Sequence, residues 1–226
     1  MCPLAIGGSL LVEMWADIAC PFCYLGLRRL QAAIDSTGLG AQVELRYRSF
    51  ELAPHSPPRR AESVAEHLSK KYGMPLDQAI GMNDGLREQG GSLGIDFHFE
   101  RVVLVNTFDA HRLIHLAAEH DLATAMKERL LHAYFTDGEV VSDPETLVRL
   151  ATDIGLDPEE TAEMLAGNRF VEAVRADEAA AGELGITGVP FVLVDGAVAV
   201  PGAQPVGHFE RALRRAADLA ARSEPS

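Results

Sequence analysis

The chain has 226 residues, of which 47% are hydrophobic and 23% charged, so we expect a packed globular protein rather than a disordered one. Its net charge is −13, from 33 acidic and 20 basic residues. Without a long basic cluster, this balance argues against nucleic acid or a membrane surface as a partner. The apolar segment 4–12 is too short to span a bilayer and lacks the flanks of a secretory signal. We therefore expect a cytoplasmic protein.

The first fifty residues predict a strand, a helix and a second strand. Residues 10–18 form an apolar run typical of a buried strand, and residues 21–36 carry apolar side chains at helical spacing. Residues 42–52 alternate apolar and polar side chains, which is the period of a half-buried strand. Two strands joined through a helix favour a right-handed crossover.

A mainly helical block follows, and strand signals then return. The predicted helices span residues 62–72, 75–88, 106–120, 122–135 and 170–184, with a loop at Gly90-Gly91-Ser92. Ser142-Asp143-Pro144-Glu145 predicts a helix start of the capping-box type, and Asp157-Pro158-Glu159-Glu160 repeats that logic. Strands are predicted at residues 189–194 and 197–200, around the hairpin turn Asp195-Gly196, and a last helix at residues 205–222.

Cys20 and Cys23 lie in a Cys-x-x-Cys spacing between the first predicted strand and the first helix. This placement is typical of a thiol–disulfide redox site. The first thiol would face the free N–H groups and positive dipole end of the helix, which favour the attacking thiolate. Two alternatives stay open: a pair of buried structural thiols, or half of a zinc site, which needs about four ligands. Cys2 is expected to be a free thiol near the terminus.

Pro190 opens the late strand pattern, directly after Gly188 and Val189. For an isolated X-Pro bond, an ordinary trans proline in a turn is the commoner arrangement. In combination with the distant Cys-x-x-Cys unit, we predict a cis Val189–Pro190 bond that turns the Val189 backbone toward Cys20. Its N–H and C=O would then pair with an extended peptide or thiol substrate.

Together these segments resemble the DsbA-like thioredoxin-fold oxidoreductases, in particular the FrnE-like branch. The matching residues are 17–26, 49–52, 106–113, 133–135, 188–191 and 201–205. The resemblance implies an α/β protein with a thioredoxin-like fold and a large all-helical insertion. It implies a thioredoxin-like domain at residues 1–54 and 186–226 and a helical insertion domain at residues 55–185. It also implies that Cys20 is the nucleophile, Cys23 the resolving thiol and Pro190 the cis-proline.

The expected function is therefore that of a disulfide reductase or isomerase, acting on protein or small-molecule disulfides and thiols. Pro21, Phe22, Val189 and Pro190 are the expected substrate-binding residues. No cofactor or metal is expected, whereas glutathione is a candidate co-substrate and a homodimer a candidate assembly. Where DsbA has a histidine between its cysteines this chain has Phe22, and Met14 stands where thioredoxin has a buried acid. The resemblance therefore implies neither a strong oxidant nor a thioredoxin-type carboxylate.

Two other function classes stay open. The related 2-hydroxychromene-2-carboxylate isomerases and kappa-class glutathione transferases activate glutathione, typically with a serine at the position of Cys20. They have no need of a second thiol, so Cys23 argues against that chemistry. The non-catalytic alternative is an accessory protein of polyketide biosynthesis.

Several polar residues have both a site role and a structural role open to them. Asp17 either tunes Cys20 or has a surface or strand-end role. Asn106, His111 and Arg112 either face the cleft from the inserted helices or cap and pack a helix. His111 and His115 share a helix face, which leaves an adventitious metal site open.

Overall fold

The structure, a computed structural model, describes residues 9–223. Its strands are β1 (Leu10–Ala16), β2 (Val43–Ser49), β3 (Phe191–Val194) and β4 (Val198–Pro201). Its helices are α1 (Pro21–Thr37), α2 (Val64–Tyr72), α3 (Leu76–Gly91), α4 (Phe108–Glu119), α5 (Ala123–His132), α6 (Pro144–Asp153), α7 (Pro158–Ala166), α8 (Val171–Glu183) and α9 (Val206–Ser223). A π-helical turn, Ala133–Asp137, continues α5. The predicted α/β class is confirmed.

The four strands form one mixed sheet in the order β2-β1-β3-β4. β1 and β2 run parallel, as expected for two strands joined through α1, and β3 and β4 form an antiparallel hairpin. β3 pairs antiparallel with β1, so that Trp15 lies opposite Phe191. This pairing brings the start of β3 to the end of β1, where the cysteine loop begins. None of the described helices combines the length and hydropathy needed to cross a bilayer.

One apolar core joins the sheet to the helices that lie between β2 and β3 in sequence. Met14 of β1 and Leu25 of α1 belong to the same buried cluster as Phe97, Leu130 and Tyr134. Because this core is continuous, α4 and α5 can place side chains directly beneath the end of β1. The division into domains at residues 1–54, 55–185 and 186–226 stays a prediction.

The prediction of a loop at Gly90-Gly91-Ser92 is wrong, because α3 continues to Gly91. A β-carbon on Gly90 would lie 2.6 Å from the Phe97 ring, so the missing side chain lets that ring pack against the helix. The Gly90 carbonyl also accepts the N–H of Ile95 at 2.9 Å. Here glycine serves a close approach at the end of a helix rather than a flexible turn.

The predicted capping box at Ser142 is also wrong. The N-cap of α6 is Asp143, whose carboxylate accepts the Thr146 N–H at 2.8 Å, while the Ser142 hydroxyl donates to the Pro58 carbonyl at 2.6 Å. Pro144 is suited to the first helical position, where its missing N–H costs nothing, and so the residue before it becomes the cap. The same logic at Asp157 is confirmed: its carboxylate caps the start of α7.

Candidate active site

Cys20 and Cys23 lie at the start of α1, immediately after the loop that leaves β1. Cys20 is the N-cap residue, with extended backbone (φ −104°, ψ 109°), and Pro21 follows in the first turn. The Cys20 carbonyl accepts the Cys23 N–H at 3.0 Å. Both residues are free thiols. Cys20 is 4% exposed and Cys23 0%, so Cys20 is the member of the pair that a substrate can reach.

The loop before β3 lies against this pair. The Val189–Pro190 peptide bond is cis, as predicted, and the Cys20 thiol donates to the Val189 carbonyl at 3.6 Å. Pro190 packs on α1 at Gly26, where a β-carbon would lie 2.9 Å from the proline Cγ. The missing side chain of Gly26 therefore lets the loop come close enough to place the Val189 backbone beside Cys20.

A mostly apolar cleft of about 1110 Å³, open solvent at its mouth included, begins at Cys20. Pro21 and Phe22 line it together with Cys20, and the Phe22 side chain is 46% exposed. Val189 and Pro190 lie outside its lining and approach Cys20 as described above. The structure thus brings the predicted site residues together around one thiol.

Asp17 is buried beside this site, so the surface alternative for it is wrong. Its carboxylate accepts hydrogen bonds from the N–H groups of Leu52 (2.8 Å) and Ala19 (3.3 Å), the Thr107 hydroxyl (2.8 Å) and His111 Nε2 (3.3 Å). Burial alone would raise the pKa of Asp17, but His111 and the other donors hold it below its ordinary value. Burial lowers the pKa of His111. The pair is therefore a carboxylate bonded to a neutral imidazole that donates from Nε2.

The sequence segments that support the family resemblance also contain the residues of this network. Three of the segments that support the family resemblance, residues 17–26, 49–52 and 106–113, supply the carboxylate and its donors Leu52, Thr107 and His111. Segments far apart along the chain thus meet at one buried charge.

Lys127 of α5 is a site residue that sequence reasoning missed. It is 1% exposed, and its ammonium donates to the Ala16 carbonyl at 3.2 Å. Burial and the contact with Cys20 raise the pKa of Cys23 well above its ordinary value, whereas the charge of Lys127 acts in the opposite direction. Burial in turn lowers the pKa of Lys127. The available signal was a lysine at helical spacing from Leu130 and Leu131, on the buried stripe of its helix.

Other candidate residues have structural roles. Arg112 donates to the carbonyls of Met164, Gly167 and Arg169, which fixes the end of α7 and the segment after it. Asn106 accepts the Phe108 N–H at 2.9 Å in the turn that leads into α4, whose N-cap residue is Thr107. None of Asn106, His111 and Arg112 lines the cleft.

The two histidines that share a face of α4 bind different partners. His111 bonds to Asp17, whereas His115 bonds to Ser49 and Asp177. Within residues 9–223, no three His, Cys, Asp or Glu side chains are grouped so as to hold a metal ion.

Comparison with known proteins agrees with this arrangement. The family model of the DSBA-like thioredoxin domain matches residues 11–214. The Uncharacterized protein YwbO of Bacillus subtilis (strain 168) is 28% identical over 204 residues, which covers 89% of this chain and 94% of that protein.

Two solved structures are similar over nearly the whole chain. The crystal structure of the probable DsbA oxidoreductase SCO1869 from Streptomyces coelicolor matches with a TM-score of 0.88 and 40% identity, covering 92% of this chain and 89% of that one. The structure of a 2-hydroxychromene-2-carboxylate isomerase matches with a TM-score of 0.67 and 18% identity, covering 95% of this chain and 100% of that one. At that identity the second match shows a shared fold alone.

Proposed function

Because the chain belongs to the DsbA-like thioredoxin domain family, we propose that it is a thiol–disulfide oxidoreductase that works through Cys20 and Cys23. The observation that carries the proposal is the asymmetry of the pair. One thiol opens onto a cleft and the other is fully buried beside it. A nucleophile must reach its substrate, whereas a resolving thiol needs only to reach the nucleophile.

The first step is attack by Cys20 on a substrate disulfide. The Cys20 thiolate forms a bond to one substrate sulfur, the substrate S–S bond breaks, and the other substrate sulfur leaves as a thiolate. Phe22 and Pro21 contact the bound group from the cleft side. The Val189 backbone pairs with it from the other side, where its carbonyl already lies 3.6 Å from Cys20 Sγ.

The second step is resolution by Cys23. Its thiolate attacks Cys20 Sγ, the Cys20–Cys23 disulfide forms, and the remaining substrate thiolate leaves and takes a proton from solvent. Two electrons have then passed to the substrate. An external thiol, for which glutathione is a candidate, returns the pair to the dithiol state. Lys127 assists this step because its charge favours the Cys23 thiolate against burial.

We infer that the reductive or isomerising direction prevails. In a reducing compartment such as the cytoplasm, a dithiol pair stays largely reduced and is ready to attack. When the substrate attacks the mixed disulfide before Cys23 does, the result is isomerisation. A histidine between the cysteines would stabilise the Cys20 thiolate and so make the disulfide form a stronger oxidant. This chain has Phe22 there, which gives no such stabilisation.

Insulin reduction tests the proposal. The wild-type protein, with dithiothreitol as the external reductant, should accelerate reduction of insulin disulfides, and Cys20→Ser should abolish the acceleration. Cys2→Ser is the matched control and should react like the wild type. Unchanged activity in Cys20→Ser would exclude the proposed chemistry. If the protein instead isomerises 2-hydroxychromene-2-carboxylate with glutathione and reduces no disulfide, the isomerase function is favoured.

A further inference from the structure

Two buried polar atoms in the wall of the cleft have no protein partner. Asn83 Oδ1 and Tyr134 Oη make no hydrogen bond to any residue in the described range 9–223. Asn83 is 5% exposed and Tyr134 1%, and both line the cleft that begins at Cys20. Native proteins rarely leave buried polar groups unpaired, because desolvation without a partner costs free energy. Both atoms therefore need a partner from outside the protein chain, either a bound molecule or water.

The two atoms call for particular chemical groups. An amide oxygen only accepts hydrogen bonds, so the partner of Asn83 Oδ1 must be a donor. Burial raises the pKa of Tyr134, so its phenol stays protonated and either donates or accepts. A hydroxyl or amine satisfies both positions, whereas a carboxylate has no proton to offer Asn83.

The rest of the wall is suited to an apolar body. The other lining side chains are mainly aliphatic and aromatic, among them Leu86, Phe99, Val102 and Phe135. Three basic residues, Arg60, His67 and Lys71, also line the cleft, and the first two pair with Glu62. Apolar walls with a few placed polar groups are the usual make-up of a small-molecule site.

We propose that this cleft binds a small disulfide or thiol with an apolar body and hydroxyl or amine groups, which bond to Asn83 and Tyr134 and direct the sulfur toward Cys20. This inference rests on the proposed function, because it assigns a substrate class to the same cysteine pair. With a bound disulfide R–S–S–R, the Cys20 thiolate displaces one RS⁻ and forms Cys20–S–S–R. Cys23 then displaces the second RS⁻, so the substrate gains two electrons, and two protons from solvent, while the pair becomes a disulfide.

Binding of an unreactive probe tests the site separately from the chemistry. Bis(4-hydroxyphenyl) sulfide carries two hydroxyls but no disulfide, and diphenyl sulfide is its matched analogue without them. Calorimetry on the full-length wild type should show the hydroxylated compound binding more tightly, by about threefold to tenfold for each hydrogen bond formed. Tyr134→Phe and Asn83→Leu should each reduce that preference.

Tyr134→Phe is the sharper variant because it removes one oxygen and keeps the ring, which packs edge-on against Phe135 at 4.9 Å between centroids. Tyr47→Phe is the matched control, since Tyr47 bonds to Thr124 and lies outside the cleft lining. It should leave both affinities unchanged. Asn83→Leu provides an independent reading if the tyrosine variant folds poorly.

Equal affinity of the two sulfides in the wild type, or a preference that survives both variants, would overturn the inference and leave water as the partner of these atoms. The disulfides that correspond to the two sulfides test whether the same contacts affect the reaction rate. Tyr134→Phe should lower kcat/KM for bis(4-hydroxyphenyl) disulfide and spare diphenyl disulfide, and an equal loss for both would also overturn it. If instead Cys20→Ser reduces these disulfides as fast as the wild type, the proposed function fails whatever the sulfides show.

Discussion

Lys127 places an ammonium group in the protein interior, where its Nζ contacts the Ala16 carbonyl and its charge acts on Cys23. A buried lysine is costly to keep charged, and burial does lower its pKa. The resolving thiol has the opposite need, because burial raises its pKa and suppresses the thiolate. The two groups therefore stabilise each other's charged forms, which makes Lys127 a tuning residue that acts through Cys23.

Replacing Lys127 by methionine should slow resolution. Loss of the ammonium raises the pKa of Cys23 further, and each unit of increase lowers the thiolate fraction about tenfold at a pH well below it. The lower thiolate fraction is partly offset by higher intrinsic nucleophilicity, so we expect a several-fold longer lifetime of the mixed disulfide. Quenched-flow mass spectrometry across a pH series measures it.

The pH dependence distinguishes tuning from a packing defect. In Lys127→Met the half-maximal rate of resolution should move to higher pH, and Lys127→Arg, which keeps the charge, should move back toward the wild type. A slower rate with an unchanged pH profile would show that Lys127 acts only by packing.

At the scale of elements, the site depends on how closely α1 and the loop before β3 approach each other. Gly26 is the contact point, since a β-carbon there would lie 2.9 Å from Pro190 Cγ. Both partners are backbone-constrained, so neither can yield as a flexible side chain would. The position of the Val189 carbonyl beside Cys20 follows from this contact.

Gly26→Ala should therefore destabilise the fold and weaken the site. An overpacked methyl group costs about 1–3 kcal/mol, which outweighs the gain of about 0.5–1 kcal/mol from replacing a helical glycine. Gly85→Ala in α3 is the matched control, because its added β-carbon would meet nothing within 4 Å, and it should be neutral or stabilising. Urea unfolding compares the two, and equal stability would contradict the close contact.

Elements were predicted well where a local pattern determines them and poorly where a distant partner does. The strand–helix–strand unit and the late hairpin follow from periodicity and turn residues, and both are present. The helical position of Gly90 is not predictable from local sequence, because it depends on packing against Phe97, which contacts Gly90 only after the chain turns back. The cap of α6 is Asp143 rather than Ser142, because the Ser142 hydroxyl bonds to the distant Pro58 carbonyl.

At the scale of the molecule, the Asp17–His111 pair ties β1, β2 and α4 to the active site. Its electrostatic state favours folding at neutral pH. For His111 the ordinary pKa is 6.5 and the folded value is lower, so the unfolded chain takes up the proton first. Asp17 also has a lowered folded pKa, from an ordinary value of 3.8. Both shifts have the same sign, and stability is lost as pH falls.

We expect the free energy of unfolding to decrease as pH falls below 6.5, with a slope from His111 of at most about 1.4 kcal/mol per pH unit. The Asp17 contribution is lost at lower pH, below 3.8. Asp17, Lys127 and His115 are the titratable groups that act on His111. Urea titrations of the wild type and His111→Gln at pH 7.5, 6 and 5 measure the difference. A difference that stays constant across this range would show that His111 does not contribute to the acid sensitivity.

Features of the whole molecule could be predicted from the sequence where local motifs encode them. The family, the α/β class and the pairing of a Cys-x-x-Cys unit with a cis-proline were within reach, because each leaves a mark in local sequence. The buried position of Lys127 and the unpartnered atoms of Asn83 and Tyr134 were not, since they arise only when the helices between β2 and β3 pack beside the sheet.

The central claim is that Cys20 is the nucleophile and Cys23 the resolving thiol. Trapping the mixed disulfide tests this claim most directly. In a Cys2→Ser background, Cys23→Ser and Cys20→Ser proteins are each incubated with bis(2-hydroxyethyl) disulfide and analysed by peptide mass spectrometry. The account predicts a mixed disulfide on Cys20 in the first protein and an unmodified Cys23 in the second, because Cys23 is fully buried. An adduct on Cys23, or an unmodified Cys20 when Cys23 is absent, would contradict it.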